Sequence, residues 1–178
     1  MARPATKRGM DAPSESAQKP EIAREPDSAP GVTLRRLTDA DFESVYDIDQ
    51  KCYPREIAYS RREFRWYLRL PGAEGIVAET RRGIAGFILT ACFERTGHII
   101  TIDVLPEYRR AGAGTVLLRA AEESLARRGA TEIELETAID NAAAIEFWKK
   151  NGYLTRGILK NYYPGGLAAY AMMKRLDG

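Results

Sequence analysis

The chain has 178 residues, enough to bury one sizeable core and too few for two once a core-poor terminus is set aside. Its 27 basic and 25 acidic residues leave a net charge of +2, which lacks the basic bias expected of a nucleic-acid binder. Two cysteines and one histidine are too few for a zinc centre or a disulfide framework, so no metal is expected. A cytoplasmic protein with no membrane segment is the expectation, because no run of 18 apolar residues occurs and no apolar signal-peptide core follows the N-terminal basic residues.

Residues 1–30 contain Pro4, Pro13, Pro20, Pro26 and Pro30, no aromatic residue and mixed charges, so they are read as a disordered tail; residues 31–178 are read as the domain. A strand-like segment starts at Val32, followed by Thr38-Asp-Ala-Asp41 as a helix cap and Phe42, Val45, Tyr46 and Ile48 at helical spacing. Cys52-Tyr53-Pro54 ends that helix, and Ser60-Arg-Arg-Glu63 reads as a capping box for a second helix carrying Phe64, Tyr67 and Leu68. The runs 75–79 and 84–93, separated by Thr80-Arg-Arg-Gly83, predict a hairpin, and His98 to Leu105 predicts a third strand. A helix follows from Thr115 to Arg128 with Gly129 as its C-cap, then a strand in which Ile133 and Leu135 alternate with Glu132, Glu134 and Glu136. Asn141 to Lys150 predicts another helix, and 153–163 and 168–176 predict two closing strands around Pro164-Gly-Gly166.

The most informative junction is Arg109-Arg-Ala-Gly-Ala-Gly114, which joins an apolar strand to a helix. Glycines there let backbone N–H groups approach phosphate oxygens, and the helix start directs its positive dipole end to the same place. The alternative is an ordinary turn whose glycines serve only its geometry.

Together with Val104-Leu-Pro106, the segment from Leu135 to Tyr153 and Asn161-Tyr-Tyr-Pro164, this junction resembles the GNAT superfamily of acetyl-CoA-dependent N-acetyltransferases, over roughly residues 32–176. Gly97-His-Ile99 and the Asn-Tyr-Tyr-Pro ending are similar to ribosomal-protein alanine N-acetyltransferases and to catalytic subunits of protein N-terminal acetyltransferases. The resemblance implies an α/β GNAT acyltransferase fold, with a central mixed, mostly antiparallel seven-stranded sheet carrying about four helices on its two faces. It implies that Ile102, Asp103 and Val104 line the pantetheine arm, with the Val104 N–H as oxyanion donor. Arg109, Arg110, Ala111, Gly112, Ala113, Gly114 and Thr115 would hold the pyrophosphate, and Asn141 and Trp148 would complete the coenzyme site; Asn141 read alone is also a plain helix cap.

For the base, the resemblance points to Glu136, which could equally continue the acidic stripe of Glu132 and Glu134, and to His98, which could be merely a half-exposed residue at a strand start. Trp148 falls where many relatives have a tyrosine that protonates the departing thiolate; an indole N–H is no acid, and a core aromatic is the favoured reading. Leu167 and Ala168 stand where relatives often have an acidic pair. Tyr53, Pro54, Tyr162 and Tyr163 are expected to wall the acceptor groove. The implied function is acetyl transfer to the α-amine of a protein or peptide N-terminus by direct attack in a ternary complex. Acetylation of a small amine and acetyl-CoA binding without turnover are the alternatives, and a monomer or homodimer is expected.

Overall fold

Alternation of apolar and polar residues in the strands, and three- to four-residue apolar spacing in the helices, produce a sheet covered on both faces. The computed structural model describes residues 31–176, so the tail expected at 1–30 lies outside the described residues. In chain order the elements are β1 (Thr33–Arg36), α1 (Phe42–Cys52), α2 (Arg61–Leu68), β2 (Ala73–Thr80), β3 (Gly83–Phe93), β4 (Thr96–Val104), α3 (Ala113–Arg127), β5 (Glu132–Ala138), α4 (Ala142–Lys150), β6 (Leu154–Leu159) and β7 (Ala169–Arg175). The strands form one seven-stranded sheet in the order β1-β2-β3-β4-β5-β7-β6, antiparallel except where β4 meets β5.

The helix starts follow their side-chain chemistry. Asp41 accepts from the Thr38 backbone N–H and hydroxyl and takes two bonds from Arg35, whose guanidinium holds the Asp41 carboxyl well below the usual carboxylate range. Ser60 and Glu63 form the reciprocal capping box that starts α2. Gly129, at φ +90°, terminates α3 in the left-handed region.

Successive residues of β3 point to opposite faces and both faces are covered, which is why nearly the whole strand is apolar. On one face Val45, Ile48, Phe64 and Tyr67 of α1 and α2 pack against Val77, Phe87, Leu89 and Ile100. On the other, Leu117, Leu118, Leu125 and Trp148 of α3 and α4 pack against Ile88, Ile99, Ile133 and Met172. Glu122 of α3 accepts from the Tyr153 hydroxyl at 3.0 Å and from Lys174 Nζ at 2.7 Å, which ties α3 to the β6–β7 end of the sheet.

Two boundaries differ from the sequence expectation. The helix after the glycine turn begins at Ala113 rather than Thr115. The strand expected over 153–163 stops at Leu159, so Tyr162 and Tyr163 belong to a loop. Its geometry explains the stop: Asn161 has φ +52°, Pro164 removes a donor, and Gly165 and Gly166 take φ +80° and +83°.

Candidate active site

The sheet opens between β4 and β5. They pair only at Thr96↔Glu132, Gly97↔Ile133 and His98↔Glu134, while β4 continues along β3 to Val104 and β5 continues along β7 to Ala138. A bulge contributes to the divergence: Leu89 pairs with Thr101 and Thr90 with Ile99, which leaves Ile100 as the extra residue of β4.

Ladder geometry says which backbone groups face the opening. In an antiparallel pair, residues alternate between exchanging hydrogen bonds with the partner strand and pointing those groups away. The Leu105 N–H bonds the Ala85 carbonyl, so Leu105, Asp103 and Thr101 turn toward β3, and Ile102 and Val104 turn their N–H and C=O groups into the opening. Asp103 was expected to help line the pantetheine arm; its backbone belongs to the β3 ladder instead. Carbonyls along this stretch have side-chain partners. The Val104 carbonyl accepts from Arg109 Nε at 2.8 Å and from the Cys52 thiol at 3.5 Å. The Ile102 and Ile100 carbonyls each accept from a tyrosine hydroxyl, Tyr53 and Tyr59, at 3.4 Å.

Beyond β4 the chain turns through two left-handed residues, Arg110 at φ +61° and Gly112 at φ +91°, into α3. Among the described residues no side chain caps this helix start at Gly112, so its first-turn N–H groups are open to an outside acceptor. Gly114 is informative for the opposite reason from Gly112. It has no positive φ, and a Cβ built on it would come no closer than 3.6 Å to Phe147, an ordinary contact. Nothing inside the chain demands glycine at 114, whereas a phosphate lying on the backbone would. The residues present thus fit a pyrophosphate: an uncapped 15-residue helix, a turn of left-handed residues, and Ala111 and Ala113 as small neighbours. Arg109 is engaged with Val104, while Arg110 is exposed.

On the α1–α2 side of the opening stands a side-chain cluster. Glu136 and His98, expected as alternative bases, are bonded to each other, with His98 Nε2 and Glu136 Oε2 3.0 Å apart. The Tyr162 hydroxyl donates to the same Oε2 at 3.1 Å. Glu136 and His98 keep only 16% and 21% of their side-chain surface, whereas Glu134 is exposed; Glu136 therefore does not continue the acidic stripe. Burial and the neighbouring Glu136 carboxylate raise the Tyr162 phenol well above its ordinary range, so it remains a neutral donor. Tyr163 is buried with Ala138 and Ala169, and Tyr162 packs edge-on against it at 5.0 Å between ring centres.

The segment joining α1 to α2 closes this side. Gln50 Nε2 and the Tyr59 N–H both reach the Asp49 carboxylate, and Gln50 also bonds the Tyr59 carbonyl, so the segment's far end is anchored to α1. Pro54 is exposed and Tyr53 half-buried. Cys52 stays a thiol, pushed up to about 11 by burial first and by the nearby Asp103 second. Sequence reasoning took Tyr59 only as the end of the loop from Cys52 and did not single out Asp49 or the Asp103 side chain, whose contacts join elements far apart in the chain.

Asn141 uses Oδ1 to cap α4 through the Ala144 N–H at 3.1 Å. Trp148 is a core residue, 1% exposed and packed edge-on against Tyr153, and its Nε1 has no partner among the described residues. Among the described residues no cluster of three or more His, Cys, Asp or Glu side chains could hold a metal, and no helix is long and apolar enough to cross a membrane.

Comparison with known proteins agrees with this geometry. The acetyltransferase (GNAT) family profile matches residues 42–153. The chain is similar to an N-alpha-acetyltransferase of Sulfurisphaera tokodaii, 31% identical over 150 residues, spanning 77% of this chain and 87% of the relative. It is also similar to a ribosomal protein bS18-alanine N-acetyltransferase of Escherichia coli, 29% identical over 136 residues, covering 74% and 87% of the two chains. Among solved structures, the crystal structure of Ard1 from Thermoplasma volcanium superimposes with a TM-score of 0.76 at 27% identity, covering 83% of this chain and 99% of the other.

Proposed function

Since the chain belongs to the acetyltransferase (GNAT) family and is an acetyl-CoA-dependent N-acetyltransferase, we propose that its acceptor is the α-amine of a protein or peptide N-terminus. The observation that carries this reading is the Glu136–His98–Tyr162 cluster at the fork between β4 and β5, on the face bordered by Tyr53; Tyr163, expected in the same wall, is buried behind it. The relatives named N-alpha-acetyltransferase support the same acceptor class.

Acetyl-CoA, when bound, supplies an activated acetyl thioester and leaves as the thiol. The turn from Arg110 to Thr115 would hold its pyrophosphate through backbone N–H groups, with Asn141 near the arm; Trp148, expected there too, is enclosed in the core. The N–H groups of Ile102 and Val104, which face the opening, would donate to the arm and, from Val104, to the developing oxyanion.

An amine attacks only when neutral, so the chain must take a proton from the acceptor. Both partners recorded for Glu136 use Oε2, which leaves Oε1 to accept a proton directly or through water. With Glu136 ionised, His98 donates from Nε2 and keeps the lone pair of Nδ1. The pair thus offers two acceptor atoms of different basicity on one side of the opening. An α-amine suits such a site better than a lysine: with reference pKa values near 7.8 and 10.4, roughly a tenth of α-amines but well below one per cent of lysines are neutral at pH 7. Cys52 is the thiol beside β4 and is held protonated, which disfavours an acyl-enzyme and supports direct transfer in a ternary complex. Trp148 offers no acidic proton, so the leaving group must depart without one from that position.

The test is a panel of short peptides with free N-termini, lysine side-chain analogues and small amines such as polyamines, assayed with acetyl-CoA by thiol release. Acetylation of peptide α-amines is expected, and turnover confined to small amines overturns the proposal.

A further inference from the structure

The outward face of α2 carries a charge that the proposed chemistry leaves unused. The chain as a whole has a net charge of only +2, but between Lys51 and Arg69 six basic residues meet two acidic ones, Glu56 and Glu63, a local excess of four. Helical spacing sorts these residues. Phe64 and Tyr67 bury the inner face of α2, and at about 100° per residue Arg62, Arg65, Trp66 and the terminating Arg69 fall together on the opposite arc. All four are exposed, Trp66 to 53%, and no acidic residue lies among them. Glu63 is taken up by the Ser60 cap, and Arg61 is engaged with both Glu43 oxygens, at 2.7 and 2.6 Å. Arg65 lies over the Phe42 ring at 4.5 Å, whereas Arg62 and Arg69 have no partner among the described residues.

This arrangement costs the free helix stability. Arg62 and Arg65 stand three residues apart, and Arg65 and Arg69 four, spacings at which like charges destabilise a helix. A face that met only water would gain from a glutamate at one of these positions. A polyanion relieves the same repulsion. Trp66 narrows the kind of polyanion: its ring packs edge-on against Tyr67, 4.9 Å between centres, and remains half open to solvent among the guanidiniums. An indole stacks on any unpaired base while arginines bond the phosphates on either side of it. An acidic peptide would satisfy the arginines and leave the indole without a stacking partner, and a duplex keeps its bases paired. Unpaired strands in cells are chiefly RNA.

We propose that the outward face of α2 is a docking surface for single-stranded RNA, with a base stacked on Trp66 and phosphates held by Arg62, Arg65 and Arg69. The surface lies outside the acetyl-transfer machinery proposed above and does not depend on it.

Fluorescence anisotropy of a labelled oligouridylate of about twelve nucleotides, titrated with the full chain at about 50 and about 200 mM salt, tests the proposal. Binding by the parent chain is expected with a Kd of about 10 to 100 μM at the lower salt, weakening about tenfold or more at the higher. W66A should weaken binding about tenfold and leave the salt dependence unchanged, because stacking releases no counterions. R62Q/R69Q should weaken it by a similar factor and flatten the slope of log K against log salt by about 1.4, two contacts at about 0.7 each. The same double variant should unfold thermally at or above the parent midpoint, since it relieves the like-charge repulsion; a purely structural role would lower that midpoint. No binding by the parent chain, or variants that bind as tightly as the parent, overturns the proposal. An oligoglutamate or an RNA duplex of the same length bound as tightly as the oligouridylate overturns it as well, since charge alone would then account for the binding.

Discussion

The turn after β4 and the face beneath α1 border the same opening, yet they are built from different parts of the chain. The turn presents backbone: an uncapped helix start, left-handed residues at 110 and 112, and a glycine at 114 that no packing requires. The opposite face presents side chains, with Glu136, His98 and Tyr162 bonded into one cluster and Tyr53, Tyr59, Asp49 and Gln50 ordering the adjacent segment. Backbone recognition tolerates side-chain change wherever the backbone path survives, whereas a side-chain cluster fails when one functional group is removed without any change of shape. The difference matches the two tasks proposed for them, since holding a pyrophosphate needs N–H groups and moving a proton needs a titratable atom.

The largest expected effect is on the side-chain face. E136Q keeps the volume and removes the proposed base, and should lower kcat/KM by about 10² to 10³ without weakening acetyl-CoA binding. H98A should cost less, and E136Q/H98A should be no slower than E136Q alone if the two act as one unit. A double variant that multiplies the two losses would divide the cluster into independent parts.

Next come the glycines of the turn. G112A forces alanine into φ +91° and should cost about 1 to 2 kcal/mol of stability, seen in thermal or urea unfolding, together with weaker acetyl-CoA binding. G114A should separate these effects, leaving the unfolding midpoint unchanged while weakening acetyl-CoA binding about tenfold by calorimetry. Unchanged binding in G114A would remove the phosphate reading of that glycine.

Acid-dependent stability sharpens the contrast from another side. The Asp103 carboxyl, ordinarily near 3.8, is raised to about 6 in the folded chain, so between those values the folded state keeps a proton that the unfolded chain has released. Its contribution therefore favours folding most below about pH 4, and stability declines as pH rises through 6, by about 3 kcal/mol at the upper bound. Urea unfolding of D103N should lack this slope and exceed the parent in stability at pH 8; a parallel pair of pH curves would mean that Asp103 carries no such penalty.

The smallest effect concerns Trp148. Its indole nitrogen lies unpaired in the core beside Tyr153, so W148F should fold with stability within about 1 kcal/mol of the parent and retain turnover within about threefold. A drop of a hundredfold in kcat with intact folding would give the indole N–H a part in the reaction.

Much of this architecture was legible in local sequence, and the reasons are specific. Ser60-Arg-Arg-Glu63 is a reciprocal cap whatever surrounds it, Gly129 stops a helix because only glycine enters the left-handed region cheaply, and the apolar run of β3 announces a strand covered on both faces. The resemblance carried by residues 104–114 and 135–153 identified the family. Less legible was the end of β6: aromatic and apolar residues up to Tyr163 have strand propensity, but the left-handed Asn161 and the Pro-Gly-Gly turn decide the boundary.

The residues proposed for acid–base work show where local reading stops. Glu132, Glu134 and Glu136 alternate identically in sequence, and only the pairing of β4 with β5 places His98 beside Glu136 and leaves Glu134 exposed. Asp103 stands between two expected coenzyme contacts, yet strand register turns its backbone to β3 and its carboxyl, 1% exposed, accepts from the Thr101 hydroxyl on its own strand. The sequence by itself determined the elements, their caps and the glycine turn after β4, because those depend on neighbours within a few residues. The tertiary structure alone decided which carboxylate meets the histidine, which backbone groups face the opening and which tyrosines reach the β4 carbonyls, because those depend on register and on contacts between strands and helices distant in the chain.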